Sequence, residues 1–408
     1  MAIDGGDLPL GGGLLALVRP ALELLEVDGV LAVNTWQPHL HDDLSAWCRV
    51  ERHEYLGHET LADGRERHLI IRGAQSLLEG QRESIIFSAE LEQPIGVASI
   101  LKAIPMPERA DADTGFAPRG SQVEPGGPRY PFDLLHRGHV APPEVGELYD
   151  QAVSAQWNAQ TDIPWNRTPT LPPVMQRALG QVMTFLAENE LSALYVPSRF
   201  VSRIHPAFAE VAMFLATQMA DEARHIDVFL KRARIGGGLG VSAATTSQSL
   251  LSLLQLTDFT EATFLLSVLG EGTFLDLLTF VENHAPDEVT AEIARRTRND
   301  EARHVHFGLA HIRHALAHEP QLYGRLEQAV RRRSASLAGA GGVPAQLQDG
   351  LTIMAAGDNA PRAVARGHDA FRELLVTMHL NRIKRLQHAG FTSQQAEELS
   401  NLHTPNFM

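Results

Sequence analysis

The sequence contains a single cysteine, Cys48, among 408 residues. One thiol excludes an intramolecular disulfide, a Cys-x-x-Cys pair and an iron–sulfur cluster bound by several cysteines. Any bound metal ion must therefore be held by histidine and carboxylate side chains. We interpret Cys48 itself, which follows Trp47 in the second predicted helix, as a small buried apolar group.

Positive charge is also scarce, because 35 Lys and Arg residues face 49 Asp and Glu residues and the formal net charge is -14. This balance argues against binding to nucleic acid or to an anionic membrane surface. The amino terminus has no basic residues before its first apolar run, and no apolar stretch reaches the roughly 18 residues that a membrane span needs. We therefore expect a cytoplasmic protein with neither nucleic acid nor membrane as a partner.

The patterns along the chain predict a small domain followed by a larger helical one. Residues 1–75 combine helical spacing with two strand-like segments, which start at Gly29 and Glu66, and a helix in DDLSAWCRVERHE whose N-cap is an Asp. Residues 76–140 read as a connector, partly rich in Pro and Gly. Residues 141–408 carry long helical patterns, broken by the turn-forming IGGGLG at 235–240. The expected fold is mainly α, a four-helix bundle with extra carboxy-terminal helices after a small α+β domain.

One pentapeptide, DEARH, occurs twice, at 221–225 and at 300–304. Glu-x-x-His places a carboxylate and an imidazole on one face of a helix, where both can reach one metal ion. A single such motif is more often an exposed acid with a surface histidine. Two copies, each on the second helix of a helical pair, instead favour a site for two metal ions that needs two further glutamates.

The position of each further glutamate follows from the geometry of an antiparallel helix pair, in which residues equally far from the turn lie at one level. Glu271 mirrors Glu301 about Pro286, and Glu190 mirrors Glu222 about Pro206. Both prolines are of the kind that open helices. Two other glutamates are alternatives. Glu188 is a rival to Glu190, whereas Glu261 would mirror Glu301 about Val281, which lies inside a predicted helix. The predicted metal ligands are Glu190, Glu222, His225, Glu271, Glu301 and His304.

Charged neighbours of the two motifs have predicted supporting roles. A metal-bound histidine normally donates its second N–H to an acceptor. Across a two-fold arrangement, Asp300 would accept from His225 and Asp221 from His304. Arg224 and Arg303 would balance the buried carboxylates, and solvent-facing salt bridges are the alternative for both.

The order Glu, Glu-x-x-His, Glu, Glu-x-x-His, with DEARH at both sites, resembles the ferritin-like di-iron carboxylate oxygenases and relatives of the ribonucleotide reductase small subunit. The resemblance spans about 157–318. It implies a ferritin-like bundle that binds two Fe ions, cycling between Fe2+ and Fe3+, or a mixed Mn/Fe pair, and activates O2. The implied activity is that of a monooxygenase that hydroxylates or N-oxygenates a small-molecule substrate.

The resemblance also implies partners. No flavin or nicotinamide fingerprint is present, so electrons would come from an external reductase or ferredoxin. A homodimer is a further possible assembly of the chain. N-oxygenases of this family often carry a third histidine one turn before the last Glu, where this chain has Thr297. Tyr195, shortly after Glu190, is either a tyrosine near the metals or a packed core residue.

Residues 8–73 resemble the TusA-like sulfur-carrier domain, through DLSAWCRVERHEYLG and HLIIRG. The carrier cysteine of that family is absent, so a docking or structural role is expected instead. His39 and His41, in TWQPHLHDD, are either metal chelators or simply residues at a helix entry.

Three functions remain open from the sequence. The leading one is an O2-dependent oxygenase in specialised metabolism. The second is a ferritin-like metalloprotein that is not an oxygenase, such as a ferroxidase or a radical-generating subunit. The third is a binding module whose working part is the amino-terminal domain.

Overall fold

The computed structural model describes residues 1–74, 95–102, 104–121, 123, 126–337 and 342–403. The chain divides into two compact units, Met1–Ile85 and Ile86–Met408. Residues 75–94, which include the start of the predicted connector at 76–140, lie outside the described residues, so the boundaries at 75 and 140 stay predictions.

The first unit is a four-stranded sheet with two helices. Its elements are β1 (Ala2–Gly6), α1 (Leu14–Glu23), β2 (Val30–Thr35), α2 (Leu40–Val50), β3 (Glu54–Thr60) and β4 (Glu66–Ile71). The strand order is β1-β2-β4-β3, with β1 parallel to β2 and the other pairs antiparallel. Val33 and Ile70 face an apolar core that they share with Leu14, Leu44 and Trp47. The predicted α+β unit is thus present, whereas a TusA-like identity stays a prediction.

Local chemistry explains where the sequence interpretation of this unit fails. Strand β1 is short and ends in glycines, and β3 is interrupted by a bulge at Gly57 (φ 124°), so neither shows regular alternation. The predicted Asp N-cap of α2 is also wrong. His39 occupies that position in a left-handed conformation (φ 61°), and the helix starts at Leu40. Cys48 is buried, as predicted.

The second unit is helical. Its helices are α3 (Val97–Lys102), α4 (Val145–Ser154), α5 (Pro173–Val201), α6 (Ala209–Arg234), α7 (Ala244–Leu254), α8 (Phe259–Thr263), α9 (Gly272–Asn283), α10 (Glu288–His318), α11 (Leu322–Leu337), α12 (Ala345–Ala356), α13 (Pro361–His388) and α14 (Ser393–Leu402). A π-helical stretch, Phe264–Glu271, joins α8 to α9. The predicted fold class, a mainly α chain with a ferritin-like bundle and a small amino-terminal sheet, is confirmed.

Two antiparallel hairpins form the bundle, and their turns are where the mirror argument predicts them. The first hairpin, α5–α6, turns through a short 3₁₀ segment at Pro206–Phe208, where the His205 ring accepts a hydrogen bond from the Ala207 amide. The second runs from α8 through α9 to α10. Its turn ends at Asp287, the N-cap of α10, whose side chain accepts from the Thr290 amide at 2.8 Å.

The core of the bundle is interrupted by a polar layer. One apolar cluster includes Phe214 and Phe307, and the other includes Phe229 and Ile293. On α6 and α10 the residues between these clusters are buried acids and histidines. Charged side chains at such a level require cations or hydrogen-bonding partners, because unpaired buried charge is costly.

One helical segment is an exception to the expectation that no apolar stretch is long enough to span a membrane. Among the described residues, Phe259–Asn283 is long and apolar enough to cross a membrane by length and composition alone. However, 83% of its apolar window is buried inside the protein. This is the behaviour of a central bundle helix, and Glu271 interrupts the apolar run that the sequence shows there.

Candidate metal centre

The six predicted ligands lie together in the polar layer. Glu190 comes from α5, Glu222 and His225 from α6, Glu271 from the end of the π-helical stretch, and Glu301 and His304 from α10. None of the six is more than 5% exposed. They form two overlapping groups, each with ligand atoms within 4.8 Å of one another: Glu190, Glu222, His225 and Glu301; and Glu222, Glu271, Glu301 and His304.

Two of the carboxylates belong to both groups. Glu222 places Oε2 3.2 Å from His225 Nδ1 and Oε1 3.0 Å from His304 Nδ1. Glu301 places Oε1 3.3 Å from His225 Nδ1 and Oε2 3.3 Å from His304 Nδ1. Each of these acids therefore offers one oxygen to either side of the site, which is the arrangement of a carboxylate that bridges two ions.

The remaining two acids are terminal, one on each side. Glu190 Oε1 lies 3.7 Å from His225 Nδ1, and Glu271 belongs to the group of His304. Each side of the site thus has one histidine, one terminal carboxylate and a share of two bridging carboxylates. The two imidazole centroids are 6.4 Å apart.

The outward nitrogen of each histidine contacts the aspartate of the opposite motif. His225 Nε2 lies 3.1 Å from Asp300 Oδ2, and His304 Nε2 lies 3.2 Å from Asp221 Oδ2. These are the cross-contacts that the two-fold argument predicts. A carboxylate at this position fixes the ring and its tautomer, so that Nδ1 faces the interior of the site.

Arginines and two residues before α5 surround the aspartates. Arg224 and Arg303 each contact both Asp221 and Asp300, and their side chains are only 15% and 12% exposed. The Trp157 indole N–H donates to Asp300 Oδ2 at 2.7 Å, and Gln156 Nε2 donates to Asp221 Oδ1 at 3.1 Å. The arginines thus neutralise the aspartates rather than face solvent.

Burial and the charges of neighbouring side chains determine how readily each residue of the site is protonated. Burial, with the charges of Glu301 and Glu222, raises the pKa of Glu190, and burial with Glu301 raises that of Glu271. Burial opposes a charge on His225 and His304, yet the charges of Glu190 and of Glu222 respectively raise their pKa values. Burial also opposes ionisation of Asp300, but its hydrogen bond from His225 lowers the pKa. Cations bound here would therefore replace protons.

The donor atoms fit divalent metal ions. Each of the four glutamates of the cluster has one buried carboxylate oxygen without a hydrogen-bond partner among the described residues: Glu190 Oε1, Glu222 Oε1, Glu271 Oε2 and Glu301 Oε1. Buried polar atoms are rarely left unpaired. Carboxylate oxygen with imidazole nitrogen suits iron, manganese and zinc, so these residues can hold two such ions.

The second hairpin borders a narrow cleft beside Glu271. Gln218 Nε2 donates to Glu271 Oε1 at 3.0 Å. Gln218 also lines the cleft, together with Ser267 of the π-helical stretch and the apolar side chains of Phe259, Leu266 and Phe307. Its free volume is only about 10 Å³, roughly that of one water molecule.

Several other candidates lie outside the site. Glu188 accepts from Ser242 at 2.6 Å, and Glu261 pairs with Arg332 at 2.9 Å, so Glu190 is the acid of α5 that joins the cluster. Tyr195 is 58% exposed. Both interpretations of it are wrong, because five residues after Glu190 the helix presents a different face. Thr297, at the position of the family's third histidine, is fully buried.

Sequence reasoning missed three residues that contact the cluster or its aspartates. Gln218 precedes Glu222 by one helical turn, so the i, i+4 spacing on α6 was a usable signal. Gln156 and Trp157 follow α4 in an irregular segment, where no periodicity places a side chain.

No family model matches the chain, and no curated protein matches it. Among solved structures it is similar to an R2-like ligand-binding oxidase with an aerobically reconstituted metal cofactor after photoconversion, at 15% identity and a TM-score of 0.42, covering 64% of this chain and 93% of that one. A mutant of an R2-like ligand-binding oxidase with a Mn/Fe cofactor gives 16% identity, a TM-score of 0.43 and coverage of 64% and 93%. Another mutant of an R2-like ligand-binding oxidase, with an Fe/Fe cofactor, has 16% identity and a TM-score of 0.43, covering 61% of this chain and 92% of that one.

Proposed function

We propose that the protein is an O2-activating non-haem di-iron oxygenase that hydroxylates or N-oxygenates a small organic substrate in specialised metabolism. The supporting observation is the pair Glu222 and Glu301, each of which reaches toward both histidines with different oxygens. Four glutamates carry enough negative charge to neutralise two divalent ions. A Mn/Fe pair suits the same donor set.

Two ferrous ions held by these six residues would supply the two electrons needed to activate O2. The chain contributes the surroundings. Its ligand side chains are nearly free of solvent exposure, which excludes water, and Asp221 and Asp300 hold the imidazoles in one orientation. An external reductase or ferredoxin would return the electrons that each turnover consumes.

The substrate would approach from the side of Glu271. The cleft there is apolar, with Gln218 and Ser267 as its polar groups next to the acid. Because its free volume is about 10 Å³, an organic molecule can enter only if the side chains of Phe259, Leu266 or Phe307 move. The substrate is thus expected to be small and largely apolar.

The same narrow cleft favours a second candidate, a ferritin-like metalloprotein that is not an oxygenase. A ferroxidase needs access only for iron and O2, both smaller than an organic substrate, so a narrow cleft restricts it less. Iron retained far above the capacity of the two ligand groups would favour this alternative. Exposure of Tyr195 argues against a radical at that residue.

Metal analysis followed by reaction with O2 tests the proposal. The protein as isolated should contain two iron ions per chain, and O2 added to its anaerobic ferrous form should be consumed with a change in visible absorption. Glu222→Ala and His304→Ala should abolish both signals, whereas Glu188→Ala, outside the cluster, should leave them unchanged. An O2 reaction that persists in Glu222→Ala would overturn the assignment.

A further inference from the structure

A second cluster of histidines lies in the first unit, on the face of the sheet that carries its core. His58 of β3 and His68 of β4 are direct cross-strand partners, and Glu66 lies two residues before His68 on the same strand face. His41, in the first turn of α2, stacks on His58. His58 and His68 are distant from His41 in the sequence, and the pairing of β3 with β4 brings these two histidines together.

The spacing of His58 from each of the other two rings matches that of ligands on a single ion. Imidazoles that bind one tetrahedral ion, with metal–nitrogen distances of about 2.1 Å, have ring centres roughly 5 Å apart. The ring centroids are 5.1 Å apart for His41 and His58, and 5.4 Å apart for His58 and His68. In the bundle, by contrast, His225 and His304 belong to two ligand groups and are 6.4 Å apart.

The buried end of the cluster has two possible ligand atoms that contact each other. The His68 side chain is 0% exposed, and its Nε2 lies 3.3 Å from Glu66 Oε2. Both atoms are buried, and apart from this contact with each other they make no hydrogen bond to any described residue. A cation bound by the nitrogen and the carboxylate oxygen would satisfy both buried atoms.

The other nitrogen of His68 is already held in the manner of a metal ligand. Its Nδ1 lies 2.8 Å from the Tyr55 hydroxyl, and a ligating histidine normally uses its second nitrogen in this way. The bulge between Tyr55 and Gly57 brings this tyrosine to the same side of the sheet as His58. Bulges of this kind commonly re-aim side chains at functional sites.

We propose that His41, His58, His68 and Glu66 form a binding site for one divalent transition-metal ion of the zinc type. Among the described residues, groups of three or more ligand atoms within 4.8 Å of one another occur only in the bundle. Binding at this second site therefore requires rotation of His41 and His58. Both can rotate, since His58 is exposed and the side chain of His41 is 41% exposed, while His68 and Glu66 provide the fixed part.

Titration of the full-length protein with Co2+ tests this proposal, because tetrahedral Co2+ absorbs visibly and Zn2+ should displace it. The wild type should bind one more equivalent than the single variants His58→Ala and His41→Ala. Because the bundle is the same in all three proteins, this difference measures metal binding at the second site alone. It is therefore independent of the proposed oxygenase function. Tyr55→Phe should retain the site with an affinity about 10- to 100-fold weaker.

His39→Asn is the matched control. His39 is a neighbouring exposed histidine, and Asn tolerates its left-handed backbone conformation. This variant should bind as many Co2+ ions as the wild type. Equal binding by wild type, His58→Ala and His41→Ala, or loss of the extra equivalent in His39→Asn, would overturn the proposal.

Discussion

The two hairpins of the bundle provide equivalent groups at the centre of the site and different ones at its edges. Glu222 and Glu301 occupy matching positions on α6 and α10, and each histidine contacts the aspartate of the other hairpin. Glu190, however, lies in the regular helix α5, whereas Glu271 ends a π-helical stretch beside a cleft. In the proposed function, the shared acids and the two histidines would hold the metal ions together with Glu190 and Glu271, and the substrate would approach from the side of Glu271. π-Helical turns are frequent at functional sites.

The largest expected effect separates bridging from terminal acids. Glu222→Ala or Glu301→Ala should lose both metal ions, since each acid serves both ligand groups. Glu190→Ala and Glu271→Ala should each lose mainly one ion. Metal per chain after gel filtration measures this, with circular dichroism as a check on folding and Glu188→Ala as the control. Retention of both ions by Glu222→Ala would contradict the bridging role.

A smaller effect tests the symmetry of the aspartates. Asp221→Asn and Asp300→Asn should each weaken metal binding about 10- to 100-fold, because each removes the negative acceptor behind one histidine. Competition with a chelator of known affinity gives the two values. Similar losses are expected despite the extra hydrogen bond from Trp157 to Asp300. A loss confined to one variant would show that the outer contacts are not equivalent.

These central contacts are also what the sequence predicts best. The repeated DEARH and the two mirrored glutamates follow from helix periodicity and turn position, which are local properties. The start of α2 did not follow, because His39 adopts a left-handed conformation at its N-cap. Strand β3 did not follow because a bulge interrupts it, and the exposure of Tyr195 did not follow because it lies on a different face of α5 from Glu190. Gln156 and Trp157 depend on how an irregular segment packs, which no spacing rule describes.

The smallest expected effect concerns the residue seven positions after each motif histidine. On α6 this is Arg232, buried in an ion pair with Asp287 and donating to Thr290 at 2.8 Å. On α10 it is His311, buried and 3.1 Å from the Thr260 hydroxyl. Burial, with the nearby His314, lowers the pKa of His311 from 6.5 to about 3. One hairpin therefore buries a paired charge and the other a neutral ring.

Between pH 6.5 and 3 the unfolded chain binds more protons at His311 than the folded chain does. The free energy of unfolding should therefore fall as the pH is lowered through this range, by at most about 1.4 kcal/mol per pH unit from this group. His311→Gln should remove that contribution, as measured by urea unfolding at several pH values. His306→Gln, an exposed neighbour on the same helix, serves as the control. Equal slopes for wild type and His311→Gln would contradict the assignment.

The bridging acids come from different hairpins, so metal binding also acts as a cross-link between the halves of the bundle. A ligand that binds only the folded state stabilises it by about 4 kcal/mol when its free concentration is 1,000 times its dissociation constant. A loaded protein would then resist thermal separation of α5–α6 from α9–α10 far better than a chelated one. Cellular iron supply would set the lifetime of the fold as well as its chemistry.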